Sequence, residues 1–170
     1  MTDKSSVIFA TLRQKLGKAD ADIDLLRERL KAPEQRDRSA AYAISFALLR
    51  VYNAFEDVMK TVAKEIDGKV PTDGAGWHQQ LIDQMSADVP DIRPPLLFGD
   101  TLKHVSNLKD FRHKANHDYG MAMDFGRLKE NAIGALAARD GIAAALDAVH
   151  AFLKHDDGDG GGGGMAGGPR

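Results

Sequence analysis

"AYAISFALLRVYNAFEDVMKTVAKEI", residues Ala41 to Ile66, is the stretch on which the reading of the fold turns. Ile44, Leu48, Val51, Phe55, Val58, Val62 and Ile66 advance by threes and fours. That spacing lines one stripe of a long helix, and nothing in it alternates as a half-buried strand would. A stripe of this length has to be covered, and the same helical spacing recurs on both sides of it. From Ser5 to Leu30 the inward set is Val7, Leu12, Leu16, Ile23, Leu26 and Leu30, which predicts a single long first helix. Pro33 marks the next start, because its missing N–H costs nothing at a helix N-terminus.

Downstream, Gly68, Pro71, Gly74 and Gly76 interrupt the pattern, and "GWHQQLIDQMSADVPDIRPP" (Gly76 to Pro95) offers a short helix followed by a proline-rich connector. A further helix opens at Asp100, whose side chain is suited to capping its first turn, and runs through Leu102, Val105, Leu108 and Phe111 towards Gly120. The last helix, from about Asp124 to Leu153, places Leu128, Ile133, Leu136, Ile142, Leu146, Val149 and Phe152 inward. The predicted fold is therefore all-α, an up-and-down bundle of four to five helices over residues 1–154. Residues 155–170 form a glycine-rich tail with too little apolar surface to offset the entropy of ordering it, and are expected to be disordered.

Bulk composition narrows the function classes. The chain has 170 residues, 43% of them hydrophobic and 28% charged, with a formal net charge of -2. That describes one domain with its own core and excludes a strongly basic nucleic-acid glove, though not a local basic patch. The absence of Cys excludes disulfides and thiolate zinc sites and suits a reducing compartment. The N-terminal residues do not read as a secretory leader, and no eighteen apolar residues occur together, so the expected location is the cytoplasm, away from membranes.

The chemistry is concentrated in "DFRHKANHDYG", Asp110 to Gly120. From Lys103 to His117, the cations Lys103, Lys109, Arg112 and Lys114 and the histidines His104, His113 and His117 face only Asp110. The patch is suited to a phosphate ligand. At about 100° per residue, Arg112, Asn116 and Tyr119 share a face, while His117 lies about 140° round from Arg112. The two converge on one ligand if the helix unwinds near Gly120 or if a second copy of the chain brings its own set to a shared groove. The negative end of the helix dipole favours a cation at His117. An Arg offers a permanent charge in a fork that fits two phosphate oxygens, and a His can take a proton from a ribose 2′-hydroxyl or return one to a departing 5′-oxygen. Together they suffice for RNA cleavage without metal or cofactor.

Other readings stand beside this one. A basic helix end is commonly a solvated face. Asp110, His113 and His117, at i, i+3 and i+7, form a candidate set of metal ligands. Asn53 and Glu56 border the long apolar stripe and are placed either to orient Arg112 across the bundle or to face water. Trp77 and His78 fit the role of seating the short helix against the core, with a base-stacking platform as the alternative.

Arg112, His117 and Tyr119 spell R-x4-H-x-Y, with the polar His113 directly after the Arg. This motif, late in the penultimate helix of an all-α chain, resembles the HEPN superfamily of ribonucleases, and the added Tyr is similar to that of HepT-type toxins. The resemblance spans roughly residues 5 to 154. It implies a metal-independent endoribonuclease toxin with no cofactor, in which Arg112 and His117 are catalytic and His113 and Asn116 support them. It further implies a homodimer whose two motifs line one cleft. The partner would be an MNT-type nucleotidyltransferase antitoxin that silences the toxin by AMPylation of Tyr119. His113 departs from the Asn commonest at that position. A non-catalytic HEPN-like module that binds a nucleotide or a protein is the rival function.

Overall fold

The structure, a computed structural model, describes residues 4–32, 37–71, 74–117 and 124–159. They form six helices in the order α1 (Lys4–Gly17), α2 (Asp20–Lys31), α3 (Arg38–Glu65), α4 (Trp77–Ser86), α5 (Gly99–His117) and α6 (Phe125–Asp159). Among the described residues the only β-type pairing is an isolated bridge between Val89 and Arg93. The architecture is the all-α bundle expected. The glycine-rich tail lies outside the described residues from residue 160 onward.

Helix α3 is the axis of the molecule, and every other helix packs against it. Its buried residues go beyond the single stripe, including Ala41, Ala47, Leu48, Val51, Tyr52, Ala54, Phe55, Val58, Met59, Val62 and Ala63. Only one side is left to water. The helix starts where Asp37 accepts a hydrogen bond from the Ala40 N–H at 2.7 Å, a side-chain cap for an otherwise orphaned donor. Pro33, the expected marker of that start, lies outside the described residues.

The first helix differs from expectation by being two. Lys18 N–H and Ala19 N–H donate to the carbonyls of Lys15 and Leu16, three residues back, so the chain tightens at Lys18–Ala19 and restarts as α2. The inward stripe of α1 is Phe9, Leu12 and Leu16, and Val7 is 52% exposed because it stands five residues from Leu12 and out of phase. Helix α6 carries a second phase error: Ile133 and Phe152 are exposed, whereas Leu128, Ala132, Ala135, Ala138, Ile142, Ala145, Leu146 and Val149 face the core. Half of that stripe is Ala.

Small residues on α6 bring α5 close. A Cβ added at Gly141 would fall on the Thr101 hydroxyl, and one at Gly134 would meet the His104 ring at 2.8 Å. His104, counted in the basic patch, is thus a packing residue at the α5–α6 seam. Asp124 caps α6 by accepting from the Gly126 N–H at 2.8 Å. Helix α5 opens one residue before Asp100, which sits in its first turn.

The irregular α4–α5 connector is held by one side chain. Arg93 is fully buried, its Nε and Nη2 donating to Asp67 at 2.6 and 2.7 Å and its remaining N–H groups to the carbonyls of Gln84, Ala87 and Pro94. Every donor of the guanidinium is used. This fixes α4 against the end of α3 and so places the first turn of α4 beside the middle of α3.

Candidate functional site

Three polar side chains on α3 occur at i, i+4 and i+8, so they stack along one side of the helix. Tyr52 is 1% exposed and Glu56 6% exposed, with Lys60 half-buried beyond them. Lys60 Nζ donates to Glu56 Oε1 at 3.1 Å and lies 4.3 Å from the centre of the Trp77 ring. The other carboxylate oxygen, Oε2, is 2.6 Å from Nδ1 of His78. His78 belongs to the first turn of α4, its ring packed on that of Trp77 at 3.6 Å between centroids. Its far nitrogen, Nε2, receives a hydrogen bond from Arg112 Nη1 at 3.0 Å. Arg112, on α5, spreads its guanidinium over the face of Tyr52, 5.9 Å from the ring centre. Three helices therefore converge on one half-buried cation.

Glu56 is shared between Lys60 and His78, while Arg112 bonds to the imidazole and not to the carboxylate, with Asp110 close enough to act on Tyr52 as well. Burial raises the Tyr52 hydroxyl above the ordinary tyrosine range, and the negative charge of Glu56 raises it further, outweighing the nearby Arg112. Tyr52 thus stays a neutral phenol, sealed from solvent against Glu56 without closing a regular hydrogen bond.

The rest of the motif lies at the end of α5. His113 and His117 are exposed and their rings meet at 4.5 Å between centroids. Asn116 is exposed beside them. Among the described residues Arg112 and His117 share no hydrogen bond or ring contact, as their angular separation on the helix implies. Tyr119 lies outside the described residues. Asp110 pairs with Lys109 at 3.1 Å, and among the described residues no group of three His, Cys, Asp or Glu side chains is gathered closely enough to hold a metal ion. The alternative reading of Asp110, His113 and His117 as metal ligands is thus not supported: the three are not gathered. Lys109 also donates to Gln79 at 2.6 Å, so part of the basic patch ties α5 to α4.

Sequence reasoning placed Arg112 and its neighbouring histidines but not the seat beneath them. Asn53 is exposed, while Glu56 does reach Arg112, through His78. His78 seats α4 as expected and makes this second contact besides. A signal was available: Tyr52, Glu56 and Lys60 put polar atoms at every fourth position along the border of the apolar stripe of α3.

Among the described residues no helix is long and apolar enough to cross a membrane. No significant match is found among curated proteins or among solved structures. A family model described as "HepT-like protein" does match, over residues 43–154. That span is about two thirds of the 170 residues and contains Tyr52, Glu56, His78, Arg112 and His117 alike. The chain belongs to the HepT-like family.

Proposed function

We propose that this chain is a metal-independent endoribonuclease, the toxin of a type VII toxin–antitoxin module acting in the cytoplasm. The observation that carries the reading is the seat of Arg112. It is a guanidinium held at one edge by His78, with no other hydrogen bond among the described residues, and the exposed imidazoles of His113 and His117 follow it on the same helix one and five residues on. Such a site fits a phosphodiester. His117 would take the proton of the ribose 2′-hydroxyl as its oxygen attacks phosphorus. The departing 5′-oxygen takes its proton from water, giving a 2′,3′-cyclic phosphate and a 5′-hydroxyl end, while Arg112 bears the charge developing on the phosphoryl oxygens and His117 later returns its proton to solvent.

Pairing of two copies would complete the cleft. His78 lies beside Glu56 and Gln84 beside Asp67, so α4 runs parallel to α3; Lys109 meets Gln79 and Arg112 meets His78, so α5 runs antiparallel to both. Moving from Arg112 to His117 is thus moving towards the N-terminal half of α3. There Tyr42 and Phe46 stand 54% and 62% exposed, flanked by Arg38 and Arg50. An aromatic face adjoining the motif suits a homodimer whose copies share the site. Tyr119, two residues past His117, would be the group that an MNT-type nucleotidyltransferase antitoxin modifies with AMP, adding negative charge and bulk where RNA must bind.

The lack of contact between Arg112 and His117 within one chain favours a second reading, a HEPN-like module that binds a nucleotide or a protein without cutting. Incubating the purified protein with RNA in excess EDTA separates the two. The nuclease leaves cyclic-phosphate ends, and Arg112→Ala and His117→Ala each lower the rate by about 100-fold or more. The binder returns the RNA intact. Cleavage that EDTA abolishes but Arg112→Ala spares would instead require a metal-dependent site.

A further inference from the structure

We infer that the buried Glu56–His78 pair is the positioning device of the Arg112 site: Glu56 fixes His78 in its Nδ1–H form, and that form seats one edge of the guanidinium while leaving the other free for an anion. The inference deepens the reading of Arg112 as a phosphate-binding group and concerns residues outside the R-x4-H-x-Y motif.

The proton assignment follows from two contacts. An arginine side chain has five N–H donors and no acceptor, so the 3.0 Å contact from Arg112 Nη1 requires a lone pair on His78 Nε2. A neutral imidazole with a bare Nε2 carries its proton on Nδ1, the nitrogen that lies 2.6 Å from Glu56 Oε2. The carboxylate accepts that proton's hydrogen bond. Its second oxygen is occupied by Lys60 Nζ at 3.1 Å, which prevents it from turning away. The opposite tautomer would point N–H at N–H towards Arg112, and a doubly protonated ring would set two cations face to face. Only one arrangement satisfies the chain Lys60–Glu56–His78–Arg112.

Geometry completes the seat. The Tyr52 ring under the guanidinium restricts its plane, and the Trp77 ring packed on His78 restricts the imidazole. The groups facing His78 are Tyr52 and Glu56 from α3, Trp77 from its own helix and Arg112 from α5, with Lys60 behind Glu56 and Trp77. Among the described residues Arg112 makes no hydrogen bond other than the one to His78. Nη2 and Nε therefore remain as a fork of the kind that takes two oxygens of one phosphate. His78 does not touch the reacting atoms; it acts through Arg112.

Long-range 1H–15N correlation spectra of the histidine rings test the pair directly, with inorganic phosphate titrated against the Arg112 Nε–H resonance as the binding readout. The wild type is expected to show His78 as the Nδ1–H tautomer. In Glu56→Gln, Lys60 retains the side-chain oxygen, so the amide NH2 faces His78. The ring is then expected to change to Nε2–H and phosphate affinity to fall about tenfold, the loss that follows when a charged group's hydrogen bond is removed. His78→Gln, whose amide can donate to Glu56 and accept from Arg112, keeps phosphate affinity within about threefold, while His78→Ala loses about tenfold and adds nothing in an Arg112→Ala background. An Nε2–H tautomer in the wild type overturns the inference. So does unchanged phosphate affinity in folded His78→Ala or Glu56→Gln. Neither readout requires RNA cleavage, so a wild-type protein that fails to cut RNA counts against the nuclease reading alone.

Discussion

Two buried polar side chains show how differently such groups contribute. Arg93 has all its donors satisfied and Asp67 in its fork, so removing the cation leaves a carboxylate that is 8% exposed with no ion-pair partner and Gln84 as its remaining donor. Arg93→Ala is expected to cost about 3–5 kcal/mol. At about 2–4 °C per kcal/mol for a chain of this size, calorimetry should show a drop of roughly 6–20 °C. Tyr52 is a cost and a pH sensor. Its native hydroxyl is raised above the unfolded value near 10, so as pH climbs past about 10 the unfolded chain loses that proton while the folded one keeps it. Stability contributed below that pH is then lost, by up to about 1.4 kcal/mol per pH unit. Urea unfolding at pH 8 and pH 11 should show a larger loss in the wild type than in Tyr52→Phe. The run Arg112, His113 and His117 stood out because the three are neighbours in the chain. The seat of Arg112 was not legible: Glu56 and His78 are 22 residues apart and His78 and Arg112 are 34 apart, and no local spacing reports a contact made by packing.

Helices were the legible elements, because apolar spacing of three and four is a strong signal over segments as long as α3 and α6. What failed was phase where alanine carries the buried face. On α6 the eye follows Ile133 and Phe152, yet the core stripe alternates Ala132, Ala135, Ala138 and Ala145 with Leu128, Ile142, Leu146 and Val149. At Gly141 the helix comes close to α5, with Thr101 Cβ and Cγ2 both 3.1 Å from where its Cβ would be, so rotating the threonine gives no relief. Gly141→Ala should gain up to about 1 kcal/mol in helix propensity and lose about 1–3 kcal/mol to overpacking. A net fall in thermal midpoint is expected; a rise would mean that α5 and α6 are not packed this tightly. The α1–α2 break was likewise invisible in the pattern, because Leu16, Ala19 and Ile23 stay in phase across a two-residue tightening.

The outer side of α3 mixes aromatic and charged side chains, with Arg38 over Tyr42 and Arg50 over Phe46. Among the described residues Tyr42 and Phe46 are large aromatic side chains left more than half exposed, and the proposed pairing of two copies would cover them. If the proposed homodimer forms through this face, Phe46→Glu should give a monomer in light scattering and remove the proposed RNA cleavage while leaving the Arg112–His78 contact intact. Because Arg112 and His117 do not meet within one chain, a shared cleft predicts that the two act from different copies. Mixing the Arg112→Ala and His117→Ala proteins, each inactive alone, after unfolding and joint refolding in EDTA, tests that proposition. Recovered cleavage with cyclic-phosphate ends is expected, since the mixed pair holds one Arg112 and one His117 across its cleft; wild-type cleavage with no recovery in the mixture would contradict it.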